Sequence, residues 1–128
     1  MADAYNQLNL LSDLLDAAKK AGADAADAVV YNAASLSVSC RMGELEKLER
    51  AESNDLGLRV FVGKQQAMVS STDFDPSTLN EVVERAVAMA KAAPADPYCG
   101  LAEPDQLVTD PPVIDICDDT EPSNDALV

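Results

Sequence analysis

Residues 44–53 read Glu44-Leu45-Glu46-Lys47-Leu48-Glu49-Arg50-Ala51-Glu52-Ser53, and the fold turns on whether they form a helix or a strand. Glutamate, leucine, lysine and arginine favour helix, and Leu45 with Leu48 fits helical spacing. The flanking residues pull the other way. Upstream, Ala34, Leu36, Val38, Cys40 and Met42 alternate with Ser35, Ser37, Ser39 and Arg41. That is the period of a half-buried strand, with Cys40 on its apolar face as a buried small hydrophobe. Ala28-Val29-Val30-Tyr31 extends it without clean alternation. Downstream, Leu56, Leu58, Val60 and Val62 alternate opposite Gly57, Arg59 and Phe61. Gly63-Lys64 suits a tight turn with glycine at its first central position, and a return strand runs from Gln65 to about Thr72. A strand at 44–53 would pair with both neighbours and complete a four-stranded meander. The residue types alone favour helix by a narrow margin.

Helices flank this region. From Asp3 to Ala21, Leu8, Leu11, Leu15 and Ala18 mark an apolar stripe that Leu14 widens. Lys19 and Lys20 suit the negative end of the helix dipole, and Gly22 follows as a C-cap. The second helix opens with Asp75 as N-cap and Pro76 at its first position. Leu79, Val82, Val83, Ala86 and Ala90 form its buried stripe, Glu81 and Arg85 pair on the other side, and Pro94 ends it. The expected class is therefore α+β: helix, four-stranded mainly antiparallel sheet, helix, then an irregular acidic tail.

Charge divides the chain at the same place. Residues 1–95 hold 14 acids and all 9 bases, and residues 96–128 hold 9 acids and no base. Pro97, Pro104, Pro111 and Pro112 forbid long regular elements in the second part, which leaves room only for a short strand at Val113–Cys117. The expectation is a folded unit over 1–95 and a proline-rich acidic linker over 96–128. Residues 121–127 look like the start of a helix whose body is absent, so the chain reads as stopping inside a longer protein.

The composition excludes several functions. A length of 128 residues with 48% apolar side chains is one domain's worth of foldable material. A net charge of −14 argues against a nucleic-acid surface. No apolar run is long enough to span a bilayer, and the N-terminus lacks the basic start of a secretory signal. A cytoplasmic protein with reduced thiols is the expectation. With no histidine, the commonest zinc ligand and general base are missing.

Each candidate site is weak. Cys40, Cys99 and Cys117 are too far apart for metal-ligand pairs, and no histidine or lysine neighbours the latter two to lower their pKa. Asp115, Asp118, Asp119 and Glu121 cluster without the spacing or glycine turn of a calcium loop. Ser70, Ser71 and Thr72 before Asp73 read as a polar strand end, not as nucleophiles. Gly57, Gly63 and Lys64 do not make a phosphate loop, and Gly22, Gly43 and Gly100 lie far apart. Arg59 reads as a sheet-face or partner-facing ion pair. No catalytic, cofactor-binding or metal-binding residue is assigned, and substrate-binding residues stay unassigned.

Four strings carry a resemblance. Asp55-Leu-Gly-Leu-Arg-Val-Phe-Val-Gly-Lys64, Val69-Ser-Ser-Thr-Asp73, Glu84-Arg-Ala-Val-Ala-Met-Ala-Lys91 and Asp96-Pro-Tyr-Cys-Gly-Leu-Ala102 closely resemble the N-terminal domain of the TldD/PmbA family. Within it they look like the PmbA branch, also called TldE. The resemblance implies a helix, four strands and a helix, which makes 44–53 a strand, and a much longer parent. It also implies a cytoplasmic TldD–TldE metalloprotease that matures peptides and trims unfolded proteins, a family also described as modulator of DNA gyrase. The family's zinc ligands lie in a TldD-type partner, and no position here matches them. The implied role is a noncatalytic domain that helps build the complex and its peptide cleft, with a TldD-like subunit and a peptide as partners and neither nucleic acid nor membrane. The competing class is a free-standing acidic protein-interaction domain with no role in proteolysis.

Overall fold

The computed structural model describes residues 2–118, 120, 122–123 and 126–127, with side chains from residue 6 onward. Its elements are α1 (Ala2–Lys20), β1 (Ala25–Arg41), β2 (Glu44–Val62), β3 (Gln65–Ser71) and α2 (Pro76–Ala92), then a 3-10 turn at Pro104–Gln106. The strands form one sheet in the order β1-β2-β3. β2 and β3 pair antiparallel from Leu56↔Ser71 to Val62↔Gln65. β1 and β2 are joined by two residues, Met42 and Gly43, a connection that only antiparallel neighbours can use.

Residues 44–53 are therefore strand, against their helical propensity. They are not a separate strand either. The four expected strands are three, because 44–53 and 56–62 belong to one 19-residue β2. Between Ala51 and Asp55 there is neither glycine nor proline to turn the backbone, and the 17-residue β1 offers a partner of nearly equal length. Pairing with a neighbour outweighs propensities worth a few tenths of a kcal/mol per residue.

Both hairpin turns follow from their glycines. Met42 (φ 54) and Gly43 (φ 80) are both left-handed, the signature of a type I′ turn. Gly63 (φ 57) alone is left-handed in the second turn, as type II′ requires at its first central position. Asparagine or glycine would enter the Met42 conformation readily, whereas another L-residue there costs about 1–2 kcal/mol.

The chain groups into two compact units, 1–32 with 53–102, and 33–52 with 103–128. In the first, α1 and α2 cover one face of the sheet. Leu14 and Ala18 of α1, Leu56, Leu58 and Val60 of β2, and Leu79, Val82, Val83, Ala86, Val87 and Ala90 of α2 make the core. Ala26, Ala28, Val30, Ala67 and Val69 pack on it from β1 and β3. The α2 stripe is as expected, with Val87 added. The α1 stripe is shifted: Leu14 and Ala18 lie at its centre, and Leu8 stays exposed, one turn short of the core.

Local bonds fix the helix ends. At the end of α1, Gly22 N–H donates to Lys19 O (3.0 Å) and Ala23 N–H to Ala18 O (3.0 Å), a Schellman closure around Gly22 at φ 106. Asp75 caps α2 by accepting from Ser77 N (2.9 Å) and Ser77 Oγ (2.6 Å). The Gln65 amide donates to the terminal carbonyls of Lys91 (3.2 Å) and Ala93 (2.5 Å), which ties β3 to the end of α2. Asp96 N–H donates to Lys64 O (2.7 Å), and the segment that follows places Cys99 among the buried residues.

In the second unit, the two strands from 33 to 52 form a ribbon beside the tail. Leu36 and Arg50 face Asp118, Thr120 and Pro122 across a cavity of about 350 Å³. The expected burial of the 34–42 apolar face is overturned here: Leu36 and Val38 are half-buried, and Cys40 and Met42 are exposed. A strand of 17–19 residues runs roughly 60 Å, whereas helices of that length run only about 25–29 Å. Helices of that length can bury only about half of such strands, and the buried residues of β2 begin at Leu56. The Val113–Cys117 segment forms no strand, and Val113, Ile114 and Ile116 are exposed. The expected helix start at 121–127 falls largely outside the described residues.

Leu58 is fully buried at the middle of this core. Leu58→Ala should therefore cost about 2–5 kcal/mol, read as a fall in the urea midpoint at unchanged slope.

Candidate functional site

The face of the sheet turned away from the helices holds the most organised cluster of polar and apolar side chains. Asp27 and Val29 stand on β1, Gly57, Arg59 and Phe61 on β2, and Met68 opposite Arg59 on β3. Arg59 grips Asp27 with two bonds, Nε to Oδ1 at 2.8 Å and a terminal nitrogen to Oδ2 at 2.5 Å. This fork geometry is the strong form of the pair. The hydrogen bond to Asp27 raises the Arg59 pKa above its ordinary value, against a smaller opposing effect of burial. The guanidinium also lies 5.2 Å from the centre of the Phe61 ring. Arg59 is thus the sheet-face ion pair that its place in the strand suggested.

Beside the pair lies a shallow depression of about 250 Å³, lined by Ala28, Val29, Gly57 and Met68 with Asp27 and Arg59 at its rim. Gly57 is small because a Cβ there would sit 3.3 Å from the Val29 side chain. Val29, Tyr31 and Met68 are each more than half exposed. An antiparallel sheet with one face on the core ordinarily turns polar residues outward, so this apolar face is a departure. Asp27 and Val29 carried no alternation signal strong enough to mark them. Their roles come from a pairing 32 residues away in sequence.

The other sequence candidates are scattered. Cys40 and Cys117 are exposed, and Cys99 is buried, the reverse of the expectation for Cys40. Ser71 and Asp73 close a turn into α2: Ser71 Oγ donates to Asp73 O (2.9 Å), and Thr78 Oγ1 donates to Asp73 Oδ2 (2.9 Å). Thr72 is exposed at that strand end, as is Ser70. In the tail, Asp118 accepts from Thr120 N (2.9 Å), and the Thr120 hydrogen bonds hold its carboxyl below the usual range. Asp115 is exposed, and Asp119 and Glu121 lie outside the described residues. Among the described residues no three His, Cys, Asp or Glu side chains converge as a metal site. Nor is any helix among them long and apolar enough to cross a membrane.

Two helices on one face of an antiparallel sheet, with a second face that is exposed at Val29 and Met68 and buries Phe61, define an α+β domain of a known kind. The family model for PmbA/TldA metallopeptidase domain 1 matches residues 26–90, from the second residue of β1 to the last turn of α2, and the chain belongs to that family. It is 35% identical over 106 residues to the metalloprotease PmbA homolog of Haemophilus influenzae, covering 83% of this chain and 23% of the relative. It is 31% identical over 105 residues to metalloprotease PmbA of Escherichia coli O157:H7, covering 82% and 23% respectively. The chain thus spans 23% of the length of these relatives. Its fold is similar to that of a described modulator of DNA gyrase from Bacteroides thetaiotaomicron, with TM-score 0.78 and 19% identity, covering 85% of this chain and 24% of that one. It is similar also to TldE from Thermococcus kodakarensis, with TM-score 0.68 and 20% identity over 80% of this chain and 23% of that one.

The Asp75 cap sets a pH dependence. Hydrogen bonds from Ser77 lower its carboxyl pKa, so the cap contributes stability that is full above about pH 4 and is lost as pH falls through the lower folded value. Asp75→Ala should lower Tm at pH 7, and the gap to the unaltered chain should close in melts near pH 2.

Proposed function

We propose that this chain is a noncatalytic domain of a PmbA/TldE-like subunit, acting in the cytoplasm in a metalloprotease that matures peptides and degrades unfolded protein. The observation that carries the reading is the match to PmbA proteins over most of this chain but under a quarter of theirs. A chain without histidine fits a division of labour in which a TldD-type partner holds the zinc. Residues 1–95 are then the domain proper, and 96–128 the acidic linker to a second domain. The domain helps build the complex and one wall of the peptide cleft.

The edges of its sheet suit that work. β3 pairs with β2 from Leu56 to Val62, so among the described residues Glu44–Asp55 has a strand neighbour on one side alone. Backbone groups at such an edge accept an extended chain with little regard to its side chains. Mixing experiments test the reading. The purified chain should hold no stoichiometric zinc after dialysis and cleave no peptide, while the polypeptide carrying it should co-elute with a TldD-type subunit and yield chelator-sensitive peptidase activity. Zinc retained by the chain alone, or activity without the partner, would overturn it.

A further inference from the structure

The ribbon between 41 and 52 combines three features that its own folding does not require. Its turn places Met42 at φ 54, where asparagine or glycine would relieve the backbone, and leaves that side chain 96% exposed. Leu45 is 52% exposed and Leu48 45% exposed. Three residues apart on a strand, these leucines point to opposite faces of the ribbon. An arm resting on a flat surface would have use for an apolar side chain on one face only. One with an apolar tip and a leucine on each face fits a cleft with two walls.

The charges of the arm narrow the partner. Arg41 bonds Glu46 (3.4 Å), Lys47 bonds Glu49 (2.5 Å) and Arg50 bonds Glu52 (3.0 Å), so each of its bases meets an acid of the arm itself. Four acids (Glu44, Glu46, Glu49, Glu52) against those three bases leave the arm net negative, on a chain of net −14. That charge opposes docking of a second copy and of an anionic membrane, and favours a cleft with a neutral or basic rim. We infer that the 41–52 hairpin is a docking arm whose Met42 tip, with Leu45 and Leu48, inserts into an apolar cleft on the partner subunit. The inference rests on the two-subunit reading and names the surface that serves it.

Met42→Asn in the native-length polypeptide is the informative variant, because asparagine suits the turn while removing the anchor. Its Tm should equal or exceed that of the unaltered protein, and its affinity for the TldD-type subunit should fall at least tenfold by titration calorimetry. Leu45→Ser with Leu48→Ser should weaken binding in the same way, and a photoreactive benzoylphenylalanine at 42 should label the partner subunit, while one at exposed Tyr98 should not. Unchanged affinity of Met42→Asn overturns the inference, as does labelling of a second copy or of phosphatidylglycerol vesicles through position 42. If the unaltered polypeptide forms no complex at all, the two-subunit reading itself has failed and the arm's partner falls with it. A complex that forms normally but ignores Met42 leaves that reading standing and sinks the arm alone.

Discussion

The pairing of β1 with β2 governs the rest of this molecule. Two strands of 17 and 19 residues joined by a two-residue turn hold one another extended for their whole length. That pairing overrides the helical preference of 44–53. It brings Asp27 to Arg59, and Val29 against the bare backbone of Gly57. Its buried residues are confined to one part of β2, from Leu56 to Phe61. The division into two compact units falls after Asn32 on β1 and before Ser53 on β2.

Where local chemistry acts alone, the sequence was a sufficient guide. Asp75-Pro76 announced the start of α2, Gly22 the end of α1, and Gly63-Lys64 a turn led by glycine. In each case a side chain or a missing Cβ acts on backbone within a few residues. The α2 stripe was legible for a related reason: the helix turns one continuous apolar face to a single core. Leu8 is exposed although it lies on the apolar stripe, because periodicity tells which face is buried but not how far along the helix the core reaches. The strand count is not legible in the pattern, because a meander with a break near 54 and an unbroken β2 share nearly the same apolar alternation.

The sheet face was only half legible. Arg59 stands out as the lone base among residues 56–62, and an ion pair follows from the cost of leaving it unmatched beside apolar neighbours. Its partner could not be named, since two acids equally distant in sequence differ only in strand register. Asp27, at 45% side-chain exposure against 36% for Arg59, keeps the pair partly in water. Screening there limits its stabilising effect to the modest range of surface pairs, so its geometry matters more than its energy. It fixes the β1–β2 register on a face where apolar burial cannot.

Cys40 is exposed although it stands on the apolar side of a regular alternation. Alternation in 34–42 has the right period for a strand with one buried face, and the strand is there. Burial, however, is a property of what covers a face, and a two-stranded ribbon has no third layer of its own. Without a cover, the parity of apolar residues no longer separates inside from outside. Leu36 and Val38 gain partial cover, and Cys40 and Met42, nearer the turn, stay exposed. Apolar side chains maintained on such a ribbon stabilise the isolated chain very little, since burial is what would make them stabilising. The left-handed Met42 adds a cost in the same place. A segment that spends stability at its turn and leaves its apolar residues in water is, on physical grounds, built for contact with another surface.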